Sequence, residues 1–207
     1  MSLVKYNLNG NMVEYDDSEF EILTNYYKEK YLHYIGNGKN ITNPKGNTSC
    51  YAMFRNYKGT NLDLSNFTTS NIVNMYCIFS YCKNLEIVNL SNFNTEKVKN
   101  MRGMFSYCNK LKQVNLSNIN IHNTKYLNEM FANCKSLKEL DISDFYFTVN
   151  KKVNNMFRNC KDLKKIKINS DSLQFFLDNK NLLFGNCKNV NIIPVTQTDK
   201  TINSLFY

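Results

Sequence analysis

Apolar and polar residues alternate in short stretches that recur along the chain. They are Leu62-Asp63-Leu64, Val88-Asn89-Leu90, Val114-Asn115-Leu116, Leu140-Asp141-Ile142 and Ile166-Lys167-Ile168. Period-two alternation predicts short strands with one buried face. Between them the spacing changes. Met101, Met104, Phe105 and Cys108 fall at i, i+3, i+4 and i+7, as do Leu127, Met130, Phe131, Cys134 and Val153, Met156, Phe157, Cys160. That spacing predicts about two helical turns with one apolar face.

These elements are copies of one unit. Phe54, Phe79, Phe105, Phe131, Phe157 and Phe184 follow one another at steps of 25, 26, 26, 26 and 27 residues. Three residues after each come Tyr57, Cys82, Cys108, Cys134, Cys160 and Cys187. The pairs Ser65-Asn66, Ser91-Asn92, Ser117-Asn118 and Ser143-Asp144 keep the same step, as do Phe67, Phe93, Ile119 and Phe145. One strand and one helical turn cannot bury their apolar sides alone, so units of this kind share a continuous core with their neighbours. The fold class read from this is α/β: a solenoid with one short parallel strand and one short helical turn per ~26-residue coil. Successive strands are expected to pair in parallel into one sheet.

Both ends are read as caps. Residues 1–48 predict a β-hairpin over Val4 to Tyr15 around Asn9-Gly10, then a helix from the capping box Ser18/Glu21 to about Ile35, closed by Gly36. Residues 49–195 form the repeat domain. Within it Ser170 to Phe184 departs from the pattern and predicts a helical variant. Cys187, Val190, Ile193 and Val195 are expected to resume the core pattern, with Pro194 tolerable in an edge strand. Residues 196–207, ending in NSLFY, are expected to cover the last coil.

The units LDLSNFTTSNIVNMYCIFSYCKNL (Leu62 to Leu85) and VNLSNFNTEKVKNMRGMFSYCNKL (Val88 to Leu111) resemble the BspA-type leucine-rich repeat family. The resemblance covers about Ser49 to Val195. It implies a leucine-rich-repeat-like solenoid, and a role in adhesion or protein binding at a cell surface.

Composition changes this picture little. The chain has 207 residues, 43% hydrophobic and 21% charged, which is ordinary globular usage. No run of about 18 apolar residues is present, so no membrane insertion is expected. The first residues hold no apolar stretch of signal-peptide length. The cytoplasm is therefore the alternative to the surface location that the resemblance implies.

The net charge of +9 lies in the repeats: residues 49–207 carry 21 Lys+Arg against 11 Asp+Glu. The densest part, residues 151–168, holds Lys151, Lys152, Arg158, Lys161, Lys164, Lys165 and Lys167 against Asp162. It raises a polyanion or nucleic acid as an alternative partner.

Seven cysteines invite a chemical reading. A zinc site wants four converging ligands, whereas five of these thiols form one column. A disulfide between neighbouring coils is conceivable, but a small buried hydrophobe filling a corner is favoured. Cys50 falls in the core column of Met75, Met101 and Leu127. Cys77 shares a mixed column with Ala52, Gly103, Glu129 and Asn155, and is expected to be the most exposed thiol.

The histidines, His33 and His122, have no acid or nucleophile at a recognisable spacing. No nucleotide, hydrolase or zinc-protease motif is present. No enzyme, cofactor or metal site is expected.

What remains is the outward side of the strands. One column runs Ile87, Gln113, Glu139, Lys165. The next runs Asn89, Asn115, Asp141, Lys167, and the residues leading in are Glu86, Lys112, Lys138 and Lys164. These vary while the core columns do not, as on a scaffold that presents a surface. The expected function is a non-enzymatic binding module that meets another protein through this face.

Overall fold

The computed structural model describes residues 4–5, 14–15, 48–196 and 198. It is a mixed α/β structure of short, mainly parallel strands and two short helices, with no closed barrel among the described residues. Strands β1 (Val4–Lys5) and β2 (Glu14–Tyr15) pair antiparallel, Val4 opposite Tyr15. The expected N-terminal helix and the C-terminal NSLFY lie outside the described residues.

The strands of the repeats are β3 (Ile87–Asn89), β4 (Gln113–Asn115), β5 (Glu139–Ile142), β6 (Lys165–Asn169) and β7 (Asn191–Val195). They pair in parallel at the repeat step, as in Val88↔Val114, Leu140↔Ile166 and Ile166↔Ile192. Between β6 and β7 the chain makes a 3-10 turn, Ser170–Ser172, and two helices, α1 (Leu173–Asp178) and α2 (Lys180–Leu183). This is the helical variant expected there.

Three expectations are corrected. First, the sheet is not continuous. Strands β3 and β4 form one sheet, and β5, β6 and β7 another. Lys112 N–H donates to Glu86 C=O and Lys164 N–H to Lys138 C=O. Among the described residues no such bond joins Lys138 to Lys112, or Leu116 N–H to Asp141 C=O. Val114 is accordingly half-buried, while Val88, Leu140 and Ile166 of the same column are buried.

Second, the apolar 3-4-7 spacing does not make a helix. In Met101 to Cys108 the N–H groups of Met101, Gly103, Phe105 and Tyr107 leave the unit. They donate to the carbonyls of Tyr126, Asn128, Met130 and Ala132 at 2.8–2.9 Å. The N–H groups of Met104, Ser106 and Cys108 close turns onto Met101, Gly103 and Phe105. An α-helix would send each of these bonds four residues back along its own chain. Here they alternate between a turn and the next unit, and residues in the left-handed region permit it: Gly103 at φ 61° and Tyr107 at φ 62°. The same two places in other units hold Ala52, Cys77, Glu129 and Asn155, and Asn56, Tyr81, Asn133, Asn159 and Asn186, all with positive φ. The apolar residues still face one way, so Met101, Met104, Phe105 and Cys108 are all buried.

Third, the register of β7 places Ile193 opposite Lys167 on the outward side, and Ile192 opposite Ile166. Ile192, not Ile193, packs against the core.

One core runs through all the units, from Cys50 to Phe184. Its spine is the phenylalanine column. Phe54, Phe79, Phe105, Phe131, Phe157 and Phe184 stack successively with ring centroids 5.1–5.8 Å apart and planes within 16° of parallel. Offset stacking of this kind adds about 0.5–1.5 kcal/mol per pair beyond burial.

The left-handed column makes a testable contact. A Cβ at Gly103 would lie 2.9 Å from Cys77 Sγ. Gly103→Ala is therefore expected to cost about 1–2 kcal/mol of backbone strain plus the clash. Urea unfolding of Gly103→Ala in the wild-type and Cys77→Ala backgrounds separates the two. A smaller loss in the second background is expected, and equal losses would exclude the contact.

Candidate functional site

The twelve outward positions divide by what each side chain already does. Asn89, Asn115 and Asp141 are exposed, but each Oδ1 accepts the backbone N–H two residues on, from Ser91, Ser117 and Ser143, at 3.0–3.1 Å. Asp63 does the same for Ser65, and Asn169 for Asp171. These Asx turns end each strand, so this column shapes the fold as well as the surface. The D/N-x-S recurrence was its visible signal.

Three of the lysines are held by acids of the preceding unit. Lys112 Nζ lies 2.7 Å from Glu86, Lys165 Nζ 3.0 Å from Glu139, and Lys167 Nζ 3.7 Å from Asp141. Exposed pairs of this kind contribute little stability, but they cancel charge on the face. Lys138 and Lys164 are exposed and have no ion pair among the described residues. Ile87 and Gln113 complete the face, Ile87 as an apolar side chain 49% exposed.

The basic stretch 151–168 is not all free surface charge. Lys151, read as part of a basic surface, is buried. Its N–H closes a turn onto Thr148 C=O, as Ile72 does onto Thr69, Val98 onto Thr95 and Thr124 onto Ile121. It therefore occupies the buried column of Ile72, Val98 and Thr124. Its ammonium donates to the carbonyls of Ile121 at 2.7 Å, Thr124 at 2.9 Å and His122 at 3.3 Å. Burial lowers its pKa, while three carbonyls on three N–H groups favour the charged form. Lys165 and Lys167 are paired as above. Of the rest, Lys152 lies at a corner bridge, Arg158 in the turns and Lys164 before β6.

The thiols are free, and they link units. Cys82, Cys108, Cys134, Cys160 and Cys187 each donate S–H to the phenylalanine carbonyl of the preceding unit, at 2.9–3.2 Å. Cys77 is corrected: it is buried, and burial pushes its thiol up to about 11. The half-exposed thiol is Cys187. His122 is exposed, and its N–H donates to Asn120 Oδ1. His33 lies outside the described residues. Among the described residues no three His, Cys, Asp or Glu side chains converge as a metal site would require, and no helix is long and apolar enough to cross a membrane.

A groove of about 650 Å³ opens where the sheet is broken. Asn115, Asp141 and Lys167 of the predicted face line it, together with Val114, Ser117, Asp144 and residues 193–195. Periodicity could not indicate this groove, because it lies where the pairing fails.

Short parallel strands repeated at one step, with a single phenylalanine-lined core, define a mixed α/β repeat protein. The chain belongs to the family described as Mycoplasma protein of unknown function, DUF285, which matches residues 48–170, more than half of its length. No curated protein and no solved structure matches it.

Two predictions follow from these side chains. Lys151→Met takes its donor from the carbonyls of Ile121, Thr124 and His122, of which Ile121 keeps the Thr124 N–H, and is expected to cost about 1–3 kcal/mol, read by urea unfolding. A cost below that of an exposed lysine substitution would contradict this role. Lys112 holds the Glu86 carboxyl below the usual carboxylate range, and Ser65 holds that of Asp63 below it. Depressed carboxyl pKa values stabilise the fold above the unfolded value and are lost as pH falls through the folded one. Lys112→Ala should therefore raise the Glu86 midpoint in a ¹³C-carboxyl NMR titration and leave that of Asp63 in place.

Proposed function

We propose that this chain is a leucine-rich-repeat-like solenoid of the BspA type. We infer that it acts as a non-enzymatic binding module, meeting a protein partner through the outward face of its parallel strands. One observation carries the reading. The inward positions are apolar in every unit, while the adjacent outward ones are exposed or half-buried and change from Ile87 to Gln113 to Glu139 to Lys165. Repeated structures bind along such faces, because a shared core leaves the outward residues unconstrained.

The face favours a partner with acidic groups. Lys138 and Lys164 stand in the same column, each just before its strand, and Ile87 adds an apolar contact at the far end. A binding role is preferred to catalysis because most charged groups of the face pair along an open surface, and the two that line the groove, Asp141 and Lys167, face each other as an ion pair. Adhesion at a cell surface is the setting that the family resemblance supports.

The test is affinity capture with wild-type protein, the Lys138→Glu/Lys164→Glu variant and an Arg158→Glu control on the turn side. Each bait must first show the wild-type circular dichroism spectrum. A partner held by wild type and control but lost from the face variant is expected. A partner held equally by all three places the contact elsewhere.

A further inference from the structure

The corner where each unit leaves its turns carries a repeated column of basic residues. Lys83, Lys135, Lys161 and Lys188 each follow a column cysteine, and Lys58 follows Tyr57 in the first unit. The third unit has Asn109 at this place and Lys110 directly after it. All six of these lysines are exposed. The main chain beneath them is held in register. Each column thiol just before them is bonded to the preceding unit. Asn84 Nδ2 donates to Lys58 C=O at 3.0 Å, Ser136 N–H to Asn109 C=O at 3.2 Å and Asp162 N–H to Lys135 C=O at 3.3 Å. At about 4.8 Å per unit the row is about 24 Å long.

These charges are not cancelled as those of the sheet face are. There Lys112, Lys165 and Lys167 meet acids of the preceding unit. None of the six corner lysines has an ion pair among the described residues. The corner segments are residues 57–60, 82–86, 108–112, 134–138, 160–164 and 187–190. Their acids are Glu86, which Lys112 holds with Lys110 nearby, and Asp162. Like charges in register on neighbouring units repel. The fold gains nothing from such a row, whereas a bound polyanion relieves it.

We propose that this row binds a linear sulfated polysaccharide laid along the stack of units. An ammonium is a compact point charge with three donors, suited to single sulfate and carboxylate oxygens. Ser136 and Asn189 of the neighbouring column offer hydroxyl and amide groups to sugar hydroxyls. Other polyanions find less here. Single-stranded nucleic acid is held by bases stacked on aromatic rings. The one ring in these segments, Tyr57, is half-buried and donates its hydroxyl to Asn61 C=O at 3.0 Å. A bilayer surface takes up apolar side chains, and the exposed Ile87, Tyr146, Val149, Leu177 and Leu182 all lie outside these segments. The row uses neither Lys138 nor Lys164, and of residues 151–168 it uses Lys161 alone.

The experiment is fluorescence anisotropy of the full chain with a labelled heparin oligosaccharide over a range of salt concentrations. Two triple variants of equal charge are compared by circular dichroism, thermal unfolding and binding. Lys83→Gln/Lys135→Gln/Lys161→Gln neutralises the row. Lys97→Gln/Lys99→Gln/Lys125→Gln neutralises exposed lysines at the other corner, where the chain enters its turns. Wild type is expected to bind with an affinity that falls steeply as salt rises. The row variant should bind at least tenfold more weakly with a shallower salt slope, and the control should stay within about threefold of wild type. Relief of the repulsion should leave the row variant's Tm at or above that of wild type, an outcome that damage to the fold cannot produce. Equal losses from the two variants overturn the proposal, because they mark net charge rather than a site. No binding by wild type also overturns it, as does competition by oligo(dT) or poly-L-glutamate equal to that of unlabelled heparin. The row variant keeps Lys138 and Lys164 and should still hold a protein partner of the sheet face, so the two readings fail separately.

Discussion

In the turn region of each unit, every second main-chain N–H leaves its own unit for the next. Everything else in the structure depends on this alternation. Bonds directed outward at two-residue intervals hold successive units at a fixed step, so a side chain at one position sits beside its counterpart in the next unit. Phenylalanine then stacks on phenylalanine, and each column thiol reaches the phenylalanine carbonyl of the unit before it. A helix of the same apolar spacing would bond within itself and leave nothing to join one unit to the next. Left-handed residues are what the alternation costs, and the chain accepts them at non-glycine positions in nearly every unit. The interunit bond that each makes possible offsets the strain.

Side chains repeat the rule where the main chain cannot. Thr69 Oγ donates to Asn94 C=O and accepts from its N–H, and Thr95 does the same for Asn120. Asn159 donates to Asn133, and Asn186 to Asn159. A buried polar group is tolerated when its counterpart one unit away completes it. Lys151 is the extreme case. It stands in an apolar column, yet the preceding unit supplies three carbonyls for its three N–H groups.

Much of this was legible in the sequence, since columns that bury side chains must repeat in residue type. The phenylalanines, the thiols and the Val/Leu/Ile pairs did so, and their burial follows. Other features left no trace of that kind. The turns share the apolar spacing of a helix, so spacing alone could not distinguish them. The first of the two left-handed columns is occupied by Ala, Cys, Gly, Glu and Asn, which have no common chemistry, because the constraint there falls on φ rather than on the side chain. Cys77 was misplaced for that reason: its polar neighbours in the column indicated exposure, whereas its thiol packs over Gly103. Lys151 was concealed by a one-residue shift, since it lies 27 residues after Thr124 rather than 26.

Regular stacking also constrains what the surface can offer. Where each unit completes the one before it, outward charges pair along the same direction, as Lys112 does with Glu86 and Lys165 with Glu139. Asn92 and Asn118 donate from Nδ2 to carbonyls of the preceding unit, and the next place in their column holds Asp144, which has no amide to donate. The volume is conserved, so the core beneath is undisturbed: Ile142 and Phe145 on either side of it remain buried. Between β4 and β5 the ladder is interrupted, and among the described residues Leu116 N–H is not joined to Asp141 C=O, just as Leu64 N–H is not joined to Asn89 C=O in the first unit. The core that runs unbroken beneath is what keeps that interruption local.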